Sequence, residues 1–293
     1  MVSLLRKKLV LRLSIIDLIS YIAKINLHTS LIRCEAEVVN GREIAKSIIS
    51  ETKKELKEWI ERGHKKPALS VIRCGTNERD YTKSIVKSCK DIGINVHGVE
   101  LPKDISEIEL LTEIRKMNND LEIDAIMLEL PFPSNVRERI MCNAVAPHKD
   151  VNGYNIINVG RLLQQKSTIL PCMPAAIKEI ISRIGVPTAG KTIVVCGRSQ
   201  KIGLPIAILA CLEDKGEVVG MNATIIVCHD TTPKEQLAQL VKQADILISA
   251  CGTPGLIEPT MLKEGACVID VGSVVLEDEK TQKYKLIGDI NFE

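Results

Sequence analysis

The chain has 293 residues, 45% of them apolar, enough for one large core or two ordinary ones, which excludes disorder as a global description. Its formal charge is +2 and aromatic residues make up 2%, so neither charge nor stacking surface recommends nucleic acid as a partner. The charge is unevenly placed: residues 1–36 carry six basic and two acidic side chains, a local +4, and the remaining 257 carry −2. Ten cysteines are scattered singly, with no CxxC pair and no Cys/His cluster at zinc spacing. They read as small buried apolar residues in a reducing compartment, with Cys196, Cys228 and Cys267 inside apolar runs.

Residues 1–36 are basic and Ser-containing, with Leu5, Leu9, Leu13 and Ile16 at helical spacing. That is the pattern of a mitochondrial transit peptide and predicts a matrix protein; an ordinary amphipathic N-terminal helix is the alternative. Arg12 and Asp17 interrupt the apolar run, which argues against a secretory signal and against a membrane span.

From Val38 onward, apolar runs of strand length alternate with helical patterns. The expected order is a helix over 42–62, a strand over 67–73, a helix over 81–92, a strand over 94–100, a helix over 106–117 and a strand over 123–130. A second series follows, with helices over 174–183, 204–212 and 234–242 and strands over 191–196, 223–229, 245–250 and 266–272. Alternation of this kind predicts an α/β protein with parallel sheets, and strands apolar throughout predict burial on both faces. The stretch LPCMPAA (170–176) separates the two series and sets the boundary between a domain at 37–171 and a Rossmann-like domain at 172–293. Two such domains imply a cleft, where a ligand sits.

The strand KTIVVC runs into GRSQKIG (197–203) and then into a helix. Gly197 permits the tight turn, Gly203 permits close packing of helix on sheet, and the helix N-terminus offers N–H groups to a diphosphate. The next strand ends at His229-Asp230. An acid at that tip accepts hydrogen bonds from an adenosine ribose diol and repels a 2′-phosphate, so Asp230 argues for NAD over NADP. The competing reading has Asp230 capping the following helix. The segment CGTPG (251–255) is placed to line the nicotinamide side.

Taken together, VVNGREIA, Tyr81 followed twelve residues later by GI, LELPFP, CNAVAPHKDVNGYNIINVGRLL, LPCMPAA, GRSQKIGLPIA, TTPKEQL, GACVIDVGS and IGDINFE resemble the methylenetetrahydrofolate dehydrogenase/cyclohydrolase family. The likeness runs from about Val38 to the last residue, and the inserted EDKGEVVGMN (213–222) and basic leader look most like the mitochondrial NAD-using bifunctional members. The resemblance implies a homodimer with a folate site between the domains. It also implies hydride transfer from the methylene bridge to NAD, then hydrolysis of the methenyl cation.

The family uses a Tyr, a Lys four residues later, a Gln in a QLPLP-type loop and an Asp in a KDVDG-type loop. Here those positions hold Tyr81, Ile85, Glu129 and Asn152. The resemblance thus assigns catalysis to Tyr81 and Glu129, and substrate contact to Tyr81, Ile85, Leu128, Glu129, Leu130 and Asn152. It assigns the cofactor to Gly197, Arg198, Ser199, Ile202, Gly203, His229, Asp230, Cys251, Gly252, Thr253 and Ser273.

Loss of the lysine bears mainly on hydrolysis, where a positioned acid or base is worth about 10² to 10⁴-fold. Mitochondrial members hold magnesium and phosphate beside NAD; Arg198 remains, but Asn222 and Asp230 take the other two positions, so a metal site is left open. The family also continues past IGDINFE into a PGGVGP-type loop and a final helix. The alternative function is an impaired pseudoenzyme that binds nucleotide or a partner subunit without turnover.

Overall fold

The computed structural model describes residues 25–27, 37–75, 80–272, 274–278 and 283–290. Two short strands come first, β1 (Ile25–Leu27) and β2 (Glu37–Val39), paired antiparallel. Helix α1 (Gly41–Glu61) leads into β3 (Ala68–Cys74), α2 (Asp80–Ile92), β4 (Asn95–Leu101), α3 (Glu107–Asn119) and β5 (Ala125–Leu128). Two short helices follow, α4 (Glu138–Ala144) and α5 (Ile156–Leu163). Then come α6 (Cys172–Arg183), β6 (Thr192–Cys196), α7 (Gly203–Cys211), β7 (Thr224–Cys228), α8 (Lys234–Val241), β8 (Ile246–Ser249) and β9 (Cys267–Asp270). A hairpin of β10 (Val274–Asp278) and β11 (Lys283–Ile287) comes last.

The chain divides into two compact units. One comprises Glu43–Ala176 and the other Ile177–Glu293, the second also taking in Tyr21–Arg42 and hence β1 and β2. The division falls inside α6, a few residues after the expected boundary at 171/172. Strand β1 falls inside residues 1–36, so the folded body begins before residue 37. The amphipathic pattern read as a leader lies ahead of it, outside the described residues.

In the first unit β3 is flanked by β4 and β5, all parallel, with Leu69 opposite Ala125 and Ile72 opposite Leu128. Its core joins Ile72, Ile126 and Leu128 of the sheet to Leu110 and Ile114 of α3 and Met141 of α4. Helix α3 starts where a reciprocal cap fixes it: Ser106 Oγ accepts from Glu109 N, and Glu109 Oε2 accepts from Ser106 N.

The second unit holds a sheet in the order β2-β1-β9-β8-β6-β7. Strands β6 to β9 are parallel, and β1 closes the other flank antiparallel to β9. The order reverses at β6, which has β7 on one side and β8 on the other. The carboxyl ends of β6 and β8 therefore flank a topological switch point, where open α/β sheets hold ligands.

Both series of elements lie where the sequence pattern puts them, every boundary within two residues. Burial follows expectation for β3, β5, β6, β8 and β9. Strands β4 and β7, each at a sheet edge, are more open, whereas β5, also last in its sheet, is flanked by the Lys149–Val151 segment. The periodicity did not announce α4, α5 or the β10–β11 hairpin, which are too short or too polar for a clear repeat. Among the described residues all nine cysteines are free, with Cys196, Cys228 and Cys267 buried as expected. No described helix is long and apolar enough to cross a membrane.

Candidate functional site

In the first unit the site begins where β5 stops. Leu128, the last strand residue, runs into Glu129 and a cis Leu130–Pro131 peptide. Glu129 N donates to Ile72 O at 2.9 Å, and Leu128 N donates to Asn152 Oδ1 at 3.0 Å. Two loops that lie apart in the sequence, LELPFP and KDVNG, are thereby one piece of structure. They meet because Lys149–Val151 runs beside β5: Ile126 N donates to Lys149 O at 2.7 Å and Val151 N to Ile126 O at 3.4 Å.

Two buried charges hold the second loop. Asp150, 3% exposed, accepts from Gly153 N and Asn155 N at 3.1 and 2.8 Å and from Asn158 Nδ2 at 3.2 Å. Burial pushes its pKa up against the pull of these donors. Lys149 turns its ammonium onto the carbonyls of Met117 and Asp120, at 3.0 and 2.7 Å, and burial pushes its pKa down. Glu129 stands on the rim so formed, 8% exposed, with Leu128 buried and Leu130 half-buried.

Tyr81 is the second residue of α2, but its side chain lies outside the described residues. Four positions on, Ile85 is 1% exposed. It belongs to a stripe of Thr82, Ile85, Cys89 and Ile92 at helical spacing, all buried. The apolar stripe turns Ile85, which the family resemblance assigns to substrate contact, away from solvent. Lys83 and Lys87 are exposed and point elsewhere on the helix, as the spacing predicts.

In the second unit β6 turns at Gly197, whose N–H donates to Cys228 O at 2.8 Å and whose φ is +121°. A Cβ at Gly197 would stand 2.4 Å from Ala250 O, and one at Gly203 would stand 2.1 Å from Gly197 O. Both positions need glycine for close backbone approach. The helix N-terminus differs from expectation, because its amides are not idle. Ser199 Oγ accepts from Ile202 N and Gly203 N at 3.1 and 3.2 Å, and Ser199 O accepts from Leu204 N. A hydroxyl that accepts twice directs its own proton outward, so the turn presents one O–H donor.

Asp230 does not cap α8, whose cap position is Pro233 with no side-chain bond. Its Oδ1 instead accepts from Arg198 Nη2 at 2.8 Å, an exposed pair across the tips of β6 and β7. His229 Nδ1 lies 2.9 Å from Thr231 Oγ1, and Thr232 Oγ1 accepts from His229 N. Asn222 is tied into the 213–222 insert, its N donating to Leu212 O and its O accepting from Gly190 N, with φ +52°. No group of three metal-ligating side chains occurs among the described residues, and Ser273 lies outside them.

Two family models match the chain. Residues 39–152 match the catalytic domain of tetrahydrofolate dehydrogenase/cyclohydrolase, and residues 171–293 match its NAD(P)-binding domain. The chain belongs to the tetrahydrofolate dehydrogenase/cyclohydrolase family. It is 44% identical over 269 residues to the mitochondrial bifunctional methylenetetrahydrofolate dehydrogenase/cyclohydrolase of Gallus gallus, covering 91% of this chain and 80% of that one. A 5,10-methylenetetrahydrofolate dehydrogenase of the silkworm, Bombyx mori, superposes with a TM-score of 0.79 at 36% identity, over 85% and 84% of the two chains. The dehydrogenase-cyclohydrolase of Trypanosoma brucei, solved with NADP and an inhibitor, gives 0.77 at 32% identity, over 87% and 85%.

Three positions, Ile85, Glu129 and Asn152, differ from the pattern the family resemblance implies, and the loops that carry the last two are hydrogen-bonded to each other. Glu129 and Asn152 stand where the family carries Gln and Asp, and the Leu128–Asn152 bond makes them neighbours. The amide and the carboxylate have exchanged loops, with the sum of donors, acceptors and charge unchanged. Two acids escaped the sequence reading: Asp150 within KDVNG, and Asp289 within IGDINFE, which is 0% exposed. For Asp289 the signal in the sequence is an acid beside Gly288 at the end of an apolar run, a pattern shared with ordinary turns, whereas Asp150 follows the polar His148-Lys149 and carries no such signal.

Proposed function

We propose that this chain oxidises 5,10-methylenetetrahydrofolate to the methenyl form with NAD as hydride acceptor, and hydrolyses the methenyl product weakly. The single observation behind the dehydrogenase half is the joining of the Glu129 and Asn152 loops by the Leu128–Asn152 hydrogen bond in a chain carrying both family domains. Glu129 supplies a carboxylate to the pterin N–H edge, the task the family gives to its Asp. Asn152, its Oδ1 held by the backbone, turns Nδ2 toward a pterin acceptor. Tyr81 provides the aromatic platform and hydroxyl. Ile85 offers no proton relay, which is why hydrolysis is the weaker half.

When bound, the nicotinamide accepts the hydride. Gly197 and Gly203 let the turn fold tightly against Ala250 and against itself, where a Cβ at either would strike backbone and push open the turn that receives the diphosphate. Ser199 O–H donates to that anion, and Ile202 closes the turn over it. Asp230 accepts from the adenosine ribose diol while Arg198 holds it in place, and a 2′-phosphate would compete with Asp230 for Arg198. With the ribose met directly, magnesium and phosphate are dispensable. The active unit is a homodimer in the mitochondrial matrix, addressed by the basic stretch ahead of Ile25.

Reduction of NAD and NADP is followed with 5,10-methylenetetrahydrofolate, together with methenyl decay and the mass of the assembly in solution. NADH formation with methenyl decay only a few-fold above the uncatalysed rate is expected. Reduction of neither dinucleotide overturns the reading. In Asp230→Ser, loss of a charged acceptor worth about 1.5 kcal/mol raises the KM for NAD roughly tenfold and lowers that for NADP. An unchanged ratio of the two would remove Asp230 from the site.

A further inference from the structure

Strand β8 ends at Ser249, and the turn after it carries Cys251, Gly252 and Thr253. Asp289 reaches back into this turn from 36 to 40 residues away. Its Oδ2 accepts from Ser249 Oγ at 2.9 Å and from Cys251 N at 2.7 Å, and its Oδ1 accepts from Thr253 N at 2.7 Å. One buried carboxylate therefore gathers three donors from a single turn.

Asp270, at the end of β9, does the same for the segment that carries Asp289. Its Oδ1 accepts from Asp289 N at 3.2 Å and Gly272 N at 3.0 Å, and its Oδ2 accepts from Ile290 N at 3.1 Å. The two carboxylates interlock over glycines. A Cβ on Gly272 would stand 2.1 Å from the Asp289 carboxyl, and one on Gly288 would stand 2.0 Å from Asp270 Oδ2. Neither acid has a cationic partner among the described residues. Two charges buried on neutral donors alone are costly for the fold, and apolar side chains would close a turn with less desolvation. The turn they hold also abuts the diphosphate turn, at the Gly197–Ala250 contact.

We propose that Asp289 is a positioning residue for the dinucleotide, fixing the Cys251–Thr253 turn at the switch point, and that Asp270 holds Asp289 in register. This rests on the reading of the second unit as the dinucleotide half of a dehydrogenase. A displacement of about 1 Å at such a turn costs up to 10²-fold in turnover efficiency. In Asp289→Asn, one oxygen becomes an NH2 that faces an N–H, and the turn shifts.

The test compares the full chain with Asp289→Asn and Ser249→Ala, the second removing one O–H donor and leaving the carboxylate. Both KM values, kcat and the thermal midpoint are measured, with NAD affinity by calorimetry in the absence of folate. The KM for NAD is expected to rise at least tenfold in Asp289→Asn and about threefold in Ser249→Ala, with the KM for methylenetetrahydrofolate within twofold of wild type. A fall in kcat with both KM values unchanged means fewer folded molecules, and overturns the proposal. If Asp289→Asn does not fold, Ser249→Ala decides: an unchanged KM for NAD overturns it. If wild type binds NAD but does not turn over, the function reading fails alone, and the calorimetric affinities of the same variants still decide the role of Asp289.

Discussion

Glu129 and Asn152 illustrate how a residue is judged by what it touches. Taken one at a time, each substitution removes a group the family relies on. Taken together, with Asn152 tied to the residue before Glu129 through the Leu128 N–H, they keep one carboxylate and one amide in adjoining loops. Groups that act as a unit are non-additive. Glu129→Gln should therefore lower kcat/KM for the folate at least tenfold, whereas the double variant with Asn152→Asp should recover most of it. Steady-state kinetics on the four proteins of the cycle check this, and simple additivity would show that the exchange is not compensatory. Ile85 is the opposite case. Because its side chain belongs to the core stripe of α2, Ile85→Lys places an ammonium among Thr82, Cys89 and Ile92. The expected result is a loss of about 3 kcal/mol or more in urea denaturation and no gain in methenyl hydrolysis.

At the scale of elements, the start of α7 shows how one hydroxyl serves fold and site together. Ser199 Oγ satisfies two amides that the helix leaves without partners. Ser199→Ala should cost about 1 kcal/mol of stability through the lost cap. It should also weaken NAD binding roughly tenfold through the lost donor, measured by thermal melts and titration calorimetry. The sequence makes this element legible, because strand, glycine turn and apolar helix follow one another without interruption. It does not say that Ser199 uses up the helix amides, since a cap depends on the rotamer and the turn. Asp230 was equally ambiguous as ribose acceptor or helix cap. Pro233 at the cap of α8 and Arg198 2.8 Å away remove the second possibility.

For the molecule as a whole, stability carries the signature of its buried acids. Asp270 is raised from 3.8 to about 6, first by desolvation and also by the nearby Asp289. A carboxyl raised in the folded state binds its proton more tightly there than when unfolded, so its contribution to stability is complete below pH 4 and is lost as pH rises through 6. Between pH 7 and pH 5 this one group should return about 1 kcal/mol to the wild type. Asp270→Asn should lack that increment, which denaturation at the two pH values reads directly; identical pH dependence in both proteins would contradict it.

The same division runs through the entire chain. Sequence alone determined the α/β class, the order of elements, the burial of the central strands and the family. Each of those follows from short-range periodicity or from residues adjacent in the chain, such as the seven of GRSQKIG. Tertiary structure decided that LELPFP and KDVNG form one surface, that Ile85 is core, that β1 completes a sheet begun more than 160 residues later, and that Asp289 governs the turn after β8. Those facts depend on pairings between segments tens to hundreds of residues apart, and on which face of a helix meets a sheet. No local pattern carries them, because hydrogen bonds and burial are settled only when distant segments meet.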